Sequence, residues 1–271
     1  MSRQPDRPPP PPVVQRLRIR YAKRGRMRFT SHRDVARALE RALRRAALPM
    51  AYSAGFSPHP KVSYAGASPT GVASEAEYLE IALADRRDPD DVRRSLDAAL
   101  PPGIDVVDVV EASGPSLGDR IAASRWRVEL REVTDADAAA AVERFLALET
   151  APVERLTKDG TRTVDARAAV ISMSPGAPDA GETARNAPCA ILDLVVRHTT
   201  PAVRPDDVMK ALRQAAALPT PVTPLVTRLA QGLLDETPST SDELPDHPVR
   251  LLDPLATDAV EAPPPQFDGG A

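Results

Sequence analysis

Residues 88–101 read DPDDVRRSLDAALP, and residues 204–219 read RPDDVMKALRQAAALP. In both, a proline followed by two acids opens a helical pattern. Proline suits the first turn of a helix, and the acids offset its positive end. Val92, Leu96, Ala99 and Leu100 make the apolar face of the first copy, and Pro101-Pro102-Gly103 ends it. The same signature at two distant positions makes internal duplication the question that decides the fold.

Working outward from the first copy, Leu17, Ile19 and Tyr21 alternate with Arg16, Arg18 and Arg20. That is the period of a half-buried strand, with an outward face made wholly of arginine. Lys23-Arg24-Gly25-Arg26 reads as a turn, after which Met27 and Phe29 resume the alternation. The clearest helix lies within FTSHRDVARALERALRRAALPMAYSAGFSPHPK, residues 29–61. Val35, Ala38, Leu39, Ala42, Leu43, Ala46 and Ala47 form its apolar stripe, Ser31 and Asp34 have capping-box spacing, and Leu48-Pro49 closes it. Met50 to Ser53 predicts a short strand. The loop Gly55-Phe56-Ser57-Pro58-His59-Pro60 follows, with prolines on either side of His59. Strands are expected at Val62–Ala67, Glu77–Leu83 and Ile104–Val110, with a turn at Pro69-Thr70-Gly71. The order β-α-β-β-α-β is the ferredoxin-like arrangement.

The second half repeats it. RWRVELR at 125–131 echoes RLRIRYA at 16–22, VERFL at 142–146 echoes LERAL at 39–43, and ILDLVV at 191–196 echoes YLEIAL at 78–83. The expected fold class is therefore α+β: two tandem ferredoxin-like (βαββαβ) domains over 16–112 and 124–235, joined by a linker at 113–123. In the second helix Ala138 to Ala141 replace the arginine face. A Pro-rich arm at 1–15, including Pro8 to Pro12, and an acidic tail at 236–271 are expected to be disordered.

Composition excludes several functions. No run of 18 apolar residues marks a membrane span, and the basic, Pro-rich N-terminus has no apolar core for a secretory signal. Cys189 is the single cysteine, which excludes an intramolecular disulfide and an iron–sulfur ligand set and suits the reducing cytoplasm. No phosphate loop, dinucleotide fingerprint, HExxH or metal-ligand spacing of histidines occurs, so neither cofactor nor metal is expected. The net charge of -3 hides a division: residues 1–61 carry fifteen basic and three acidic side chains, a net of +12, and the remainder carries -15. Such separation points to a polyanion or an acidic partner.

Arg33, Arg37, Arg41, Arg44 and Arg45 lie opposite the apolar stripe, set against Glu40. A solvated face is the bland explanation. Arginine's planar fork is better suited to phosphate than such a face requires. With Arg16, Arg18, Arg20, Lys23, Arg24, Arg26 and Lys61, these residues are the expected nucleic-acid surface, and residues Gly55 to Pro60 its loop. Tyr52, Phe56 and Tyr64 either stack bases or build the first core. His32 and His59 are weak catalytic candidates: an imidazole beside bound phosphate can act as a base on a ribose hydroxyl, but local packing explains both.

The segments S-H-x-D, E-R-A-x-R-R-A, Y-S-x-G-F-x-P-H-P and S-E-x-E-Y together resemble the radical SAM-associated domain of unknown function, found fused to or encoded beside radical SAM proteins. The resemblance covers 16 to about 235. It implies a radical SAM protein as partner and, in actinobacteria, a nearby E/G-type ribonuclease, but no activity. Tandem ferredoxin-like domains also resemble the CRISPR repeat-RNA processing endonucleases, an analogy of fold alone. The expectation is a non-catalytic RNA-binding accessory protein serving RNA modification or processing. The alternatives are a metal-independent RNA endonuclease using His32 or His59, and a docking scaffold for the radical SAM partner.

Overall fold

The computed structural model describes residues 10–157, 160–177, 187–235, 249–256 and 258. It is a mixed α+β architecture that divides into two compact units.

The first unit takes the chain up to Thr70, Glu77–Asp119 and the segment from Pro254. Its elements are β1 (Gln15–Lys23), α1 (His32–Arg45), β2 (Val62–Ala65), most of β3 (Ala73–Leu83), α2 (Pro89–Ala99) and β4 (Ile104–Glu111). The strand order is β4-β1-β3-β2. Leu17, Ile19 and Tyr21 of β1 meet Val35, Leu39 and Leu43 of α1 and Val92 and Leu96 of α2 in one core, so both helices cover one sheet face. Local chemistry fixes the helix ends. The Ser31 hydroxyl accepts the Asp34 amide, and the Asp88 carboxylate accepts the Asp91 amide ahead of Pro89. Past the end of α1, Ala47 takes a left-handed φ of 50°, and the Leu48 amide returns to the Leu43 carbonyl at 3.2 Å.

The second unit takes Gly71–Ala76 and Arg120–Asp253. It contains β5 (Ala123–Arg131), α3 (Asp135–Leu146), a hairpin of β6 (Pro152–Thr157) and β7 (Gly160–Asp165), and α4 (Ala166–Ala169). Then come β8 (Val170–Pro175), β9 (Cys189–Arg197), α5 (Pro205–Ala215), β10 (Leu225–Leu234) and β11 (Leu251–Leu252). The order β10-β5-β9-β8 is antiparallel along β5, while Ala73 and Ser74 join β10 in parallel. Trp126, Val128 and Leu130 of β5 pack with Phe145 of α3 and Val208 and Leu212 of α5.

Several expectations are corrected. The outward arginine face of β1 fails at Arg18, which is only 2% exposed, and Lys23 at its end is also buried. The expected turn at 23–26 is a short 3-10 helix over Gly25–Phe29. Gly103 makes that possible: with φ at 90°, a Cβ there would lie 2.9 Å from the Arg24 carbonyl. Met50–Ser53 makes only isolated bridges, Met50 with Leu83 and Tyr52 with Pro60. The β6–β7 hairpin and α4 have no counterpart in the first half. The tail expected to be disordered is ordered in part: β11 extends β10, and Leu255 and Asp258 are buried. Residues 1–9 and 236–248, and the rest of the expected tail, lie outside the described residues.

Candidate nucleic-acid interface

Helix α1 buries Val35, Ala38, Leu39, Ala42 and Leu43, which turns Arg33, Arg37, Arg41, Arg44 and Arg45 to solvent. Arg37, Glu40, Arg41, Arg44 and Arg45 line one shallow depression on that surface. Little neutralises it. Arg37 meets Asp34 at 3.4 Å, a pair whose side chains are both more than half exposed and which contributes about 0–1 kcal/mol. The Arg44 Nε donates to the Glu40 carbonyl at 3.3 Å. Among the described residues, Arg33, Arg41 and Arg45 make no ion pair.

The other basic candidates divide. Arg18 is committed to the interior: its Nη1 donates to both Asp258 oxygens, at 3.1 and 2.9 Å, and to the Ser113 carbonyl at 2.8 Å, and its Nε donates to Glu80 at 3.1 Å. Such an arginine cannot reach a phosphate outside. Lys23 donates to the Pro69 carbonyl at 3.2 Å. Arg16 pairs with Glu80, and Arg24 with Asp105, at 3.0 Å each on the surface. Arg20 is half-buried, while Arg26 and Lys61 are exposed. Among these candidates the accessible positive charge is therefore concentrated on α1.

The aromatic alternatives separate as well. Tyr64 packs against the first core, edge-on to His32 with ring centroids 5.0 Å apart. Burial, then the nearby Glu40 charge, pushes its hydroxyl well above the usual phenol value. Phe56 is the opposite, 88% exposed. Its loop is pinned at the base, where the His59 amide donates to the Ser53 hydroxyl at 3.0 Å and the Ser53 amide to the His59 carbonyl at 2.9 Å. The remaining loop residues, Gly55, Ser57, Pro58 and His59, are exposed, and Pro60 is half-buried.

One polar cluster had no signal in the sequence. In the second unit the Ser124 hydroxyl lies 2.7 Å from His198 Nε2 and 3.4 Å from Gln231, whose amide donates to the Ala76 carbonyl at 2.6 Å. Nearby, Arg228 donates to Ser74 at 3.2 Å and lies over the Trp126 ring. These partners are far apart in the chain: Ser124, Arg228 and Gln231 are ordinary strand residues by pattern, and His198 follows the end of β9. Among the described residues, no group of three or more His, Cys, Asp or Glu is placed to share a metal ion. None of the helices there is long and apolar enough to cross a membrane.

Fold and surface together define an α+β protein with a cationic helix face on its first unit. The chain belongs to the family described as "Uncharacterized protein conserved in bacteria (DUF2344)", whose model matches residues 16–205. No curated protein matches it. Among solved structures, a DypB variant in complex with manganese is 14% identical over 76% of this chain and 85% of that one, with a TM-score of 0.20. The encapsulated DyP-type peroxidase from Mycobacterium smegmatis is 11% identical over 82% and 92%, with a TM-score of 0.21. Likeness this slight carries no inference about activity.

Proposed function

We propose that this protein is a non-catalytic RNA-binding accessory protein, acting in the cytoplasm with a radical SAM enzyme in RNA modification or processing. The observation behind the RNA reading is the α1 face: five exposed arginines with one weak ion pair among them. Arginine delivers charge-assisted, two-pronged hydrogen bonds to phosphate, and an unneutralised row of them fits a phosphate chain. The radical SAM partner, and the E/G-type ribonuclease as a possible neighbour, rest on the motif resemblance of residues 16–110. In this reading each unit is a ferredoxin-like βαββαβ fold, and the two arose by duplication. Supporting this, β4-β1-β3-β2 and β10-β5-β9-β8 set equivalent strands side by side, and PDDV opens both α2 and α5.

Salt titration of RNA binding tests the function. Four phosphate contacts from Arg33, Arg37, Arg41 and Arg44 give single-stranded RNA a log–log slope of roughly -3, at about -0.7 each. Arg37→Gln with Arg41→Gln should flatten it by about 1.4 units while leaving the melting temperature nearly unchanged. An unchanged slope in the double variant, or no RNA affinity at moderate salt, would sink the proposal. Binding to the partner protein alone would favour the scaffold. RNA cleavage in EDTA that disappears in His32→Ala would favour the endonuclease.

A further inference from the structure

We infer that the α1 face takes single-stranded rather than duplex RNA, with an unpaired base stacked on Phe56; this rests on the RNA reading above. A phenyl ring that is 88% exposed leaves an apolar face in water without any packing gain for the fold. The loop around it is not slack. The reciprocal Ser53–His59 hydrogen bonds, the Tyr52–Pro60 bridge and the fixed φ of Pro58 and Pro60 hold its base. Gly55 turns the chain at a φ of 122°, a conformation that side chains rarely adopt, immediately before the ring is presented.

The base of this loop leads into β2 through Lys61, and β2 lies against α1 through the Tyr64–His32 contact. Along the same short connection Lys61 and Ser63 are exposed, while Tyr64 packs toward the core. A stacking platform and a row of phosphate-binding guanidiniums on one unit are the two parts from which single-strand sites are built. The shape follows from the chemistry. A stacked base must be free of its pair, whereas the bases of an A-form duplex are already stacked on each other and offer a side chain no face.

The test compares equal-length single-stranded and duplex RNA at one salt concentration, with wild type, Phe56→Ala and Phe56→Leu. Base–aromatic stacking is worth enough that losing the ring should weaken single-strand binding roughly 5- to 160-fold. Leucine should not restore it, because apolar bulk without a π face cannot stack. Duplex binding should be weaker in the wild type and unmoved by either change. With the ring in solvent, both variants should keep the wild-type melting temperature. In Phe56→Trp, single-stranded RNA should quench the added indole. If the wild type binds RNA but Phe56→Ala matches it, or duplex is preferred, this inference fails while RNA binding stands. If neither RNA binds, both fail together.

Discussion

In α1 the Ser31 hydroxyl accepts the Asp34 amide and donates to that residue's carboxylate at 2.7 Å. In α3 Thr134 does the same with Asp137, also at 2.7 Å. Both helices then bury an apolar stripe against their own sheet. Their outer faces diverge: α1 presents five arginines, and α3, reading DADAAAAVERFL, has only Arg144, whose Nε donates to the Ala216 carbonyl at 2.8 Å. Cap and stripe are what a helix of this kind needs in order to form. The outer face is free of that demand, so the difference between the two faces is where function is to be sought.

The sharpest way to break this comparison is at the strand arginines that the echo of RLRIRYA in RWRVELR sets against each other. Arg18→Leu should destabilise the first unit by about 3 kcal/mol, because it strands the buried Asp258 carboxylate without its counter-charge. Arg127→Leu at the matching position of β5 should cost less, since that arginine is only half-buried. Hydrogen exchange should show β1 opening in the first variant with β5 still protected. Equal losses would mean that the two strands are alike after all. Next in size are the caps. Ser31→Ala and Thr134→Ala should each lower stability by about 1 kcal/mol in urea unfolding, and by similar amounts if the two devices are one.

The smallest effect concerns one proton in each unit. Burial pushes the Asp258 carboxyl up, but the Ser113 hydroxyl and amide and then Arg18 outweigh it and hold it below the usual value near 3.8. Its stabilisation is complete above that value and disappears as pH falls through the lower folded one. His198 is held below its ordinary 6.5 by burial and then by Arg228, against a backbone hydrogen bond at Ile121. The unfolded chain therefore takes that proton first, and the second unit weakens as pH falls from about 6.5. Trp126, the only tryptophan, sits in the second unit and reports it by fluorescence. His198→Gln should move the onset of its acid transition to lower pH. An onset that the variant leaves in place would assign the acid sensitivity elsewhere.

What the sequence disclosed follows the range of the forces involved. The helices at Pro89 and Pro205 were readable because cap, proline and first-turn acids lie within four residues of one another. The α1 face was readable because a helix fixes its own two sides. Arg18 was not, since its counter-charge lies 240 residues away and nothing local separates it from Arg16 and Arg20. The same holds for Ser124 and His198, which are 74 residues apart. The β6–β7 hairpin went unforeseen because the sequence echoes between the two halves include none for residues 152–165. In the tail, Leu251, Leu252 and Leu255 are a small apolar signal submerged in acidic, proline-rich surroundings. Pairing with β10 and burial of Leu255 outweigh that local composition.

The clasp between Arg18 and Asp258 also sets a timetable. Ribosomes add about 5–20 residues per second, so Asp258 is made roughly 12 to 48 s after Arg18. During that interval the first part of the protein to be synthesised has a core and the Glu80 carboxylate, but lacks the buried second carboxylate that Arg18 holds. The usual sequence of events, in which the earlier portion is finished before the later one emerges, is therefore inverted here. A premature stop between codons 254 and 258 leaves the second unit whole and should do its damage at the opposite end of the gene product, in the portion translated first.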